Sequence, residues 1–465
     1  MINHMGIKIT LINPPFLFPV RFDIVYSHCI GLRTMSALLK RKGHTVFFID
    51  ALMKGFDQIN SFNSAWLVGA GYDNIVSMIP GDTDIIGVSV PFSHLAPIAH
   101  RLCENIKKQY PDTLLIMGGV YPSTQPELAI TSAADYIIVG EGERPLADIA
   151  AGRPPNSIAG VYPCRSRSHA SFNSSEVENR LDNLPFPDDK IPMMDRYFTI
   201  SQRRNRGRTA TLVTSRGCPY DCEFCSIHPV CGKKWRARSA GHVLEEIAYF
   251  VRRYRVGLFE IEDDNFTLDK KRLVEILEGI VKLNEKHPGF RWKTPNGVRI
   301  DTLDSDIIRL IKRSNCRQLA LALEHGDPEM LKLMNKRLDL EKAFSIIKQV
   351  VENNVAIKLF VITGYPGERD RNFKKGLEFL KRIKELDGDI FLAVSMAQVY
   401  PGTRLYQRCV KEGRIKDKAF ANYLINGKLM NTTYFPGIST HDFNRQQILQ
   451  RKNKLKNMFM STWKE

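Results

Sequence analysis

The sequence predicts an α/β protein: a doubly wound parallel sheet, then a partial six-stranded βα barrel of TIM type, then a small, mainly helical C-terminal region. Three observations lead there. Short β-rich apolar runs alternate with helical patterns in two separate series, as in parallel sheets covered by helices. A stretch rich in Pro, Ser, Asn and Asp, from Arg153 to about Arg206, separates the series and has the composition of a linker. The 465 residues suffice for two or three domains at roughly 100–200 residues each. The expected division is 1–160, a linker over 161–205, a barrel over 206–405 and a tail over 406–465.

The first series opens with strand Ile7–Asn13, helix Gly31–Lys42 stopped by Gly43, and strand Thr45–Asp50. Strand Ile85–Val90 precedes a helix from about His94 to Tyr110. Leu114–Met117 runs into Gly118-Gly119, and Tyr136–Val139 into Gly140-Glu141-Gly142-Glu143. The strand C-termini thus carry Asn13, Asp50, Ser89, Gly118, Gly119 and Gly140–Gly142, and ligands of doubly wound sheets bind at that edge. The second series offers strands Thr209–Ser215, Leu258–Glu262, Arg291–Ile300, Gln318–Leu323, Ala356–Thr363 and Ile390–Val399. Helical patterns near 242–254, 269–286, 304–313, 328–353 and 372–385 separate them. Chemistry in such a barrel belongs at the strand C-termini. Phe443–Met460 reads as a basic amphipathic helix.

The formal net charge of +17 is unevenly placed. Residues 1–160 carry −1, residues 202–238 carry +7 and residues 406–465 carry +8. A general nucleic-acid coat is not so localised, so nucleic acid is not the expected partner. No apolar run approaches the ~18 residues of a spanning helix. Met1–Val20 reads as a strand broken by Asn13-Pro14-Pro15, not as a signal peptide. A cytoplasmic monomer is expected. Nine cysteines, an odd number, argue against a disulfide framework.

Cys218, Cys222, Cys225 and Cys231 crowd together directly after the first barrel strand. Three thiolates spaced CxxxCxxC on one loop can bind three irons of a 4Fe–4S cube and leave the fourth open. A zinc loop completed by Cys231 or His228 is the alternative. The run Ser215-Arg216-Gly217-Cys218-Pro219-Tyr220-Asp221-Cys222-Glu223-Phe224-Cys225 resembles the radical S-adenosylmethionine (SAM) superfamily. So do Glu260–Phe266, Asn296–Asp301, Leu323–Asp327, Gly364–Glu368 and Tyr400–Thr403, in their order along the chain. The resemblance implies Cys218, Cys222 and Cys225 as cluster ligands. It implies Phe224, Glu262, Asp263, Asn296, Arg299 and Glu324 as SAM-binding residues.

A doubly wound, Rossmann/flavodoxin-like domain ahead of this core resembles the cobalamin-binding subgroup. Asn13, Pro14, Leu52, Ser89, Val90, Gly118, Gly119, Glu141 and Gly142 are its implied cobalamin contacts. Cobalamin domains of the methionine-synthase type carry D-x-H-x-x-G, whose His ligates cobalt. Asp50-Ala51-Leu52-Met53-Lys54-Gly55 has Leu52 at that place, and a Leu has no lone pair to give. Cobalamin is therefore expected base-off, with no His from this motif; His28, His44, His94 and His100 are the other candidate ligands, and each reads first as a surface or helix residue. A methylthiotransferase would need a second cluster on Cys29, Cys103 and Cys164, whose spacing and settings argue against it.

The subgroup implies methylation of an unactivated carbon through methylcobalamin and a 5′-deoxyadenosyl radical. The alternatives are a non-methylating oxidative cyclisation or ring rearrangement with the same cofactors, and a cobalamin-binding regulator. Arg203, Arg204, Arg206 and Arg208, with Lys233, Lys234, Arg236 and Arg238, flank the cysteine loop. They read as a docking face for a flavodoxin or ferredoxin reductant, or as recognition of an anionic substrate. Arg451–Lys456 with Phe459 and Trp463 reads first as a packed helix with a wet face, and second as a peripheral membrane contact.

Overall fold

The computed structural model describes residues 6–18, 28–62, 65–165, 171–205, 207–415, 440 and 442–459, with backbone alone at 203–205. It divides into two compact units. One comprises Met1–Tyr197, Ser226–Gly232 and Ile415–Met430; the other comprises Phe198–Cys225, Lys233–Arg414 and Asn431–Glu465.

The N-terminal unit is a doubly wound sheet. Its strands lie in the order Thr45–Asp50, Lys8–Asn13, Ile85–Ser89, Leu114–Gly118, Tyr136–Ile138 and Val161–Pro163. All pairings are parallel except the last. The order reverses between Lys8–Asn13 and Ile85–Ser89, which places the ligand edge at Asn13 and Ser89. Two features go beyond the sequence pattern. Phe16–Phe18, Ile59–Phe62 and Ala65–Val68 form a small antiparallel sheet. The stretch read as linker contributes strand Val161–Pro163 and helix Met194–Asn205. Its Asn- and Ser-rich composition hides that strand, because three residues are too few for a periodicity to register.

The second unit is the six-stranded parallel partial barrel. Strands Thr209–Leu212, Leu258–Ile261, Arg291–Lys293, Cys316–Glu324, Ala356–Thr363 and Ile390–Met396 lie in sequence order. Side-chain caps start its helices: Ser239, Asp269 and Asp304 accept the amides of His242, Arg272 and Ile307, satisfying donors that have no partner inside the helix. The strand expected over Arg291–Ile300 stops at Lys293, since Pro295 has no amide to continue a ladder; only an isolated bridge, Val298 to Leu321, resumes it. The single helix expected over 328–353 is two, Pro328–Leu333 and Leu340–Glu352. Asn335 and Arg337 adopt left-handed φ angles of 54° and 50° between them, and Asp339 caps the second.

Helix Arg445–Phe459 packs on strands Ile390–Met396 and Ala356–Thr363 with Ile448, Lys452, Leu455 and Phe459 buried. Arg451 lies over the rings of Phe443 (3.6 Å) and Phe373 (4.2 Å) and pairs with Asp370 at 2.7 Å. Its apolar face is thus used within the fold, as the packed-helix reading expects; Trp463 lies outside the described residues. No helix among the described residues is long and apolar enough to cross a membrane. Ile448→Ala should destabilise the chain by about 2–4 kcal/mol through the cavity it leaves, measured as a lower urea midpoint with an unchanged slope.

Candidate active site

Where strand Thr209–Leu212 ends, two acids from the neighbouring strand end take hold of the chain. Asp263 accepts the Thr214 amide and hydroxyl (both 2.5 Å) and the Ser215 hydroxyl (2.7 Å). Asp264 accepts the Gly217 amide at 2.9 Å. Burial raises the Asp263 carboxyl above the usual range, while the Ser215 and Thr214 donors and Arg272 pull it back. Gly217, at φ 81°, then makes a turn that a side chain would strain.

Cys218, Cys222 and Cys225 follow, each half-buried and outside any disulfide. Glu223 lies between the last two and is 8% exposed. It takes both nitrogens of the Arg408 fork (2.8 and 3.0 Å) and the Tyr365 hydroxyl (2.7 Å). Its amide donates to the Met334 carbonyl, and its carbonyl accepts the Leu405 amide, both at 2.9 Å. Asn335 donates to the Asp221 carbonyl (2.7 Å), and Arg404 pairs with the Asp221 carboxylate (2.6 Å). Phe224 stands edge-on to Tyr365 in the wall of a cavity of about 140 Å³ shared with Ile362, Ser395 and Tyr400.

The other residues expected around SAM divide into two groups. Glu262 and Asn296 are exposed at the mouth, where Asn296 donates to the Glu262 carbonyl at 3.1 Å. The Glu262 carboxyl opens to solvent within a crowded recess; burial and then Glu260 push it up to about 7, against Lys293. Asp263, Arg299 and Glu324 are instead engaged by the protein. Arg299 grips Asp301 with two bonds (2.9 and 2.7 Å) and lies 3.7 Å over the Tyr220 ring of the cysteine loop. Glu324, at a left-handed φ of 68°, pairs with buried Lys336 at 3.0 Å. These three position the loop and the strand ends.

At the N-terminal edge, Asp50 accepts from Asn13 (2.9 Å), the Met53 amide (3.1 Å), the Cys29 thiol (3.5 Å) and the Tyr197 hydroxyl. Pro14, Leu52 and Val90 are buried, with Leu52 fully inside the core. Ser89, Gly118, Gly119 and Gly142 stand half-exposed at the edge. Gly119 has φ 106°, and a Cβ there would lie 2.7 Å from the Val90 carbonyl oxygen; the cradle is bare backbone. Glu141 is buried, its carbonyl held by the Ser175 hydroxyl at 2.6 Å. His28 is buried against the Tyr197 ring, and burial, then Arg33, lower its pKa to about 3. His100 is tied to the Tyr121 hydroxyl at 2.8 Å.

Residues 212–380 match the model of the radical SAM superfamily, and residues 25–150 match that of the B12-binding domain. The chain joins a B12-binding domain to a radical SAM domain. An uncharacterized methyltransferase of Pyrococcus horikoshii is 25% identical over 445 residues, covering 92% of this chain and 88% of its own. Cytidylyl-2-hydroxyethylphosphonate methyltransferase of Streptomyces wedmorensis is 24% identical over 448 residues, covering 87% and 82%. The structure of TsrM, a radical S-adenosylmethionine methyltransferase from Kitasatospora setae with cobalamin and a 4Fe–4S cluster bound, aligns with a TM-score of 0.67. That alignment has 17% identity and covers 88% of this chain and 75% of that one; it shows a shared fold.

The radical SAM domain presents the donor set its cluster requires: three cysteines on one loop, with the Asn265 amide 3.9 Å from the Cys218 sulfur and the Asn265 side-chain oxygen buried without a partner. Among the described residues no three His, Cys, Asp or Glu side chains converge to hold a single metal ion. In the B12-binding domain Gly119 packs so closely on Val90 that it has no room for a Cβ, so the half-exposed edge at Gly118-Gly119 offers backbone alone. Of the three cysteines a second cluster would need, Cys29 bonds to Asp50 and Tyr197, Cys103 is buried and Cys164 lies by Ser132 at 3.9 Å.

The basic stretch after the loop is partly internal. Arg236 and Arg238 are buried, and Arg238 pairs with Glu246 at 2.5 Å. Lys233 lies 3.4 Å from Asp221. The side chains of Arg203, Arg204 and Arg206 lie outside the described residues. The residues that sequence reasoning missed are Glu223, Tyr365 and Arg408. A Glu between two cysteines is a usable signal, but its partner 185 residues away is not.

Arg408→Met should leave buried Glu223 without its main partner and destabilise the chain by roughly 1–3 kcal/mol; iron bound per chain after anaerobic reconstitution should fall below wild type. A carboxyl whose folded pKa exceeds its unfolded value binds its proton more tightly in the fold, so its contribution declines as pH rises from 4.5 to about 7. Glu262→Gln removes that decline. The Tm difference in favour of the variant should widen with pH across that window in thermal melts.

Proposed function

We propose that the chain is a cobalamin-dependent radical SAM methyltransferase acting on an unactivated carbon. The observation that carries this reading is the loop that bears the three half-buried cysteines, held from behind by Asp263, Asp264 and Glu223, with Phe224 of the same loop lining a cavity. The likeness to two methyltransferases over most of both chains supports it. When bound, the cluster and SAM supply one-electron cleavage of a C–S bond, and cobalamin supplies a methyl carrier.

The chain's own residues hold and orient these groups. Cys218, Cys222 and Cys225 ligate three irons. Phe224 and Tyr365 form a wall for the adenine, and Glu262, with its free carboxyl at the mouth, receives the SAM amino group. Asn296 keeps the Glu262 backbone in place. Asn13, Ser89, Gly118, Gly119 and Gly142 would bear the cobalamin; Leu52, at the motif's His position, has no lone pair to offer a metal, and Asp50 is engaged by Asn13, Tyr197 and Cys29. The reductant is a flavodoxin or ferredoxin, and the setting is cytoplasmic.

Anaerobic reconstitution with iron, sulfide, cobalamin and SAM tests this. Under a strong reductant the protein should form 5′-deoxyadenosine, and Cys222→Ala should lower it to background. With substrate, S-adenosylhomocysteine and 5′-deoxyadenosine should appear together with a singly methylated product. Formation of 5′-deoxyadenosine alone, with no methyl gained, would mean a non-methylating radical reaction on the same site.

A further inference from the structure

Side chains alternate between the two faces of a strand, and in the barrel one face is less fully covered than the other. On strand Ala356–Thr363, Ile357, Leu359, Val361 and Thr363 are buried, whereas Lys358, Phe360 and Ile362 remain half-exposed. The neighbouring strand repeats this with Phe391, Ala393 and Ser395. One layer of that face is charged. Glu260 and Lys293 face each other in register and pair at 2.8 Å. Lys358 comes from two strands further on. Between them, Ala320 stands beside Lys358 and Ala322 beside Phe360, and these small side chains leave Lys358 room to cross. Its ammonium reaches the Pro295 carbonyl at 3.3 Å and lies 4.7 Å from the Phe360 ring.

The layer has donors left over. An ammonium carries three, and among the described residues Lys358 gives one long bond to a carbonyl and none to a carboxylate. Glu260, the nearest acid, is already paired with Lys293. Burial, then Lys293, hold the Lys358 pKa down against the pull of Glu260. Thr211, in register with Glu260, is buried, and its hydroxyl has no partner.

We propose that Lys358 anchors an anionic group, a carboxylate or phosphate monoester, at the inner end of the substrate, whose apolar body lies along Phe360 and Ile362. This rests on the reading of the barrel as the reaction chamber. It names the substrate class that the charged layer fits: a molecule with an apolar or aromatic body and one anionic end.

Calorimetric titration of the full chain with phenylphosphate, phenylacetate, benzyl alcohol and benzylamine tests it. One or both anions should bind roughly tenfold or more tighter than benzyl alcohol, and the tighter anion identifies the headgroup. Lys358→Met should erase that advantage, and Lys358→Arg should restore part of it. Equal binding of the neutral or cationic probe, an undiminished anion preference in Lys358→Met, or no anion binding by the wild type would overturn the proposal. Iron content and SAM binding are read on the same wild-type preparation; their loss would sink the functional reading, whereas the anion titrations report on Lys358 alone.

Discussion

A loop that must keep three thiols accessible cannot gain its order by burying them, so the ordering force has to come from residues between and behind the cysteines. Glu223 meets that constraint. Its carboxylate is enclosed by the Arg408 fork and the Tyr365 hydroxyl, a charge-assisted, two-pronged contact of the strong kind. Tyr365 then turns its ring edge toward Phe224, so the same contact that fixes the loop also shapes the cavity beside it. At the loop entrance Asp263 and Asp264 do the equivalent work through backbone amides and hydroxyls. A buried carboxylate is costly unless its lone pairs are met, and here they are met by the segment that needs to be held.

The same logic separates residues that face a ligand from residues that face the protein. Motif position alone treats Glu262, Asp263, Arg299 and Glu324 alike, as charged groups near the strand ends. Partner geometry does not. Arg299 and Glu324 have carboxylate and ammonium partners at hydrogen-bonding distance, whereas Glu262 has an open carboxyl in a recess that raises its pKa. A polar side chain with its hydrogen bonds complete supports a site; one with them incomplete, in a concave setting, is equipped to meet a ligand.

Much of the fold was legible because it rests on local rules. Runs such as Ala356–Thr363 and Ile390–Met396 are long and apolar, and six strand candidates alternate with helical patterns, so their order along the chain already implied a parallel barrel. The cysteine loop was legible because spacing on one loop is itself the chemistry. The breaks at Pro295 and around Asn335 were harder, since each depends on one or two backbone conformations inside an otherwise regular pattern. The Glu223–Arg408 and Asp50–Tyr197 contacts were not legible at all. Nothing in the composition near Tyr197 points to a carboxylate 147 residues earlier; that contact exists only once the sheet has placed Asp50 at its edge.

Gly364 has φ 72°, and a Cβ there would sit 2.6 Å from Ile448. Helix Arg445–Phe459 thus lies directly on the end of the fifth barrel strand, with Phe443 and Ile448 over Met396 of the sixth. This has a bearing on synthesis. The N-terminal sheet holds all its strands once residue 163 has been made, and domains fold as units while the chain emerges. The barrel cannot do the same: its outer strands stay uncovered until a segment about fifty residues downstream of Met396 has left the ribosome. During that interval the apolar faces of Val394 and Met396 are open to wrong partners, which makes the barrel, not the sheet, the half of the molecule with most to gain from a chaperone.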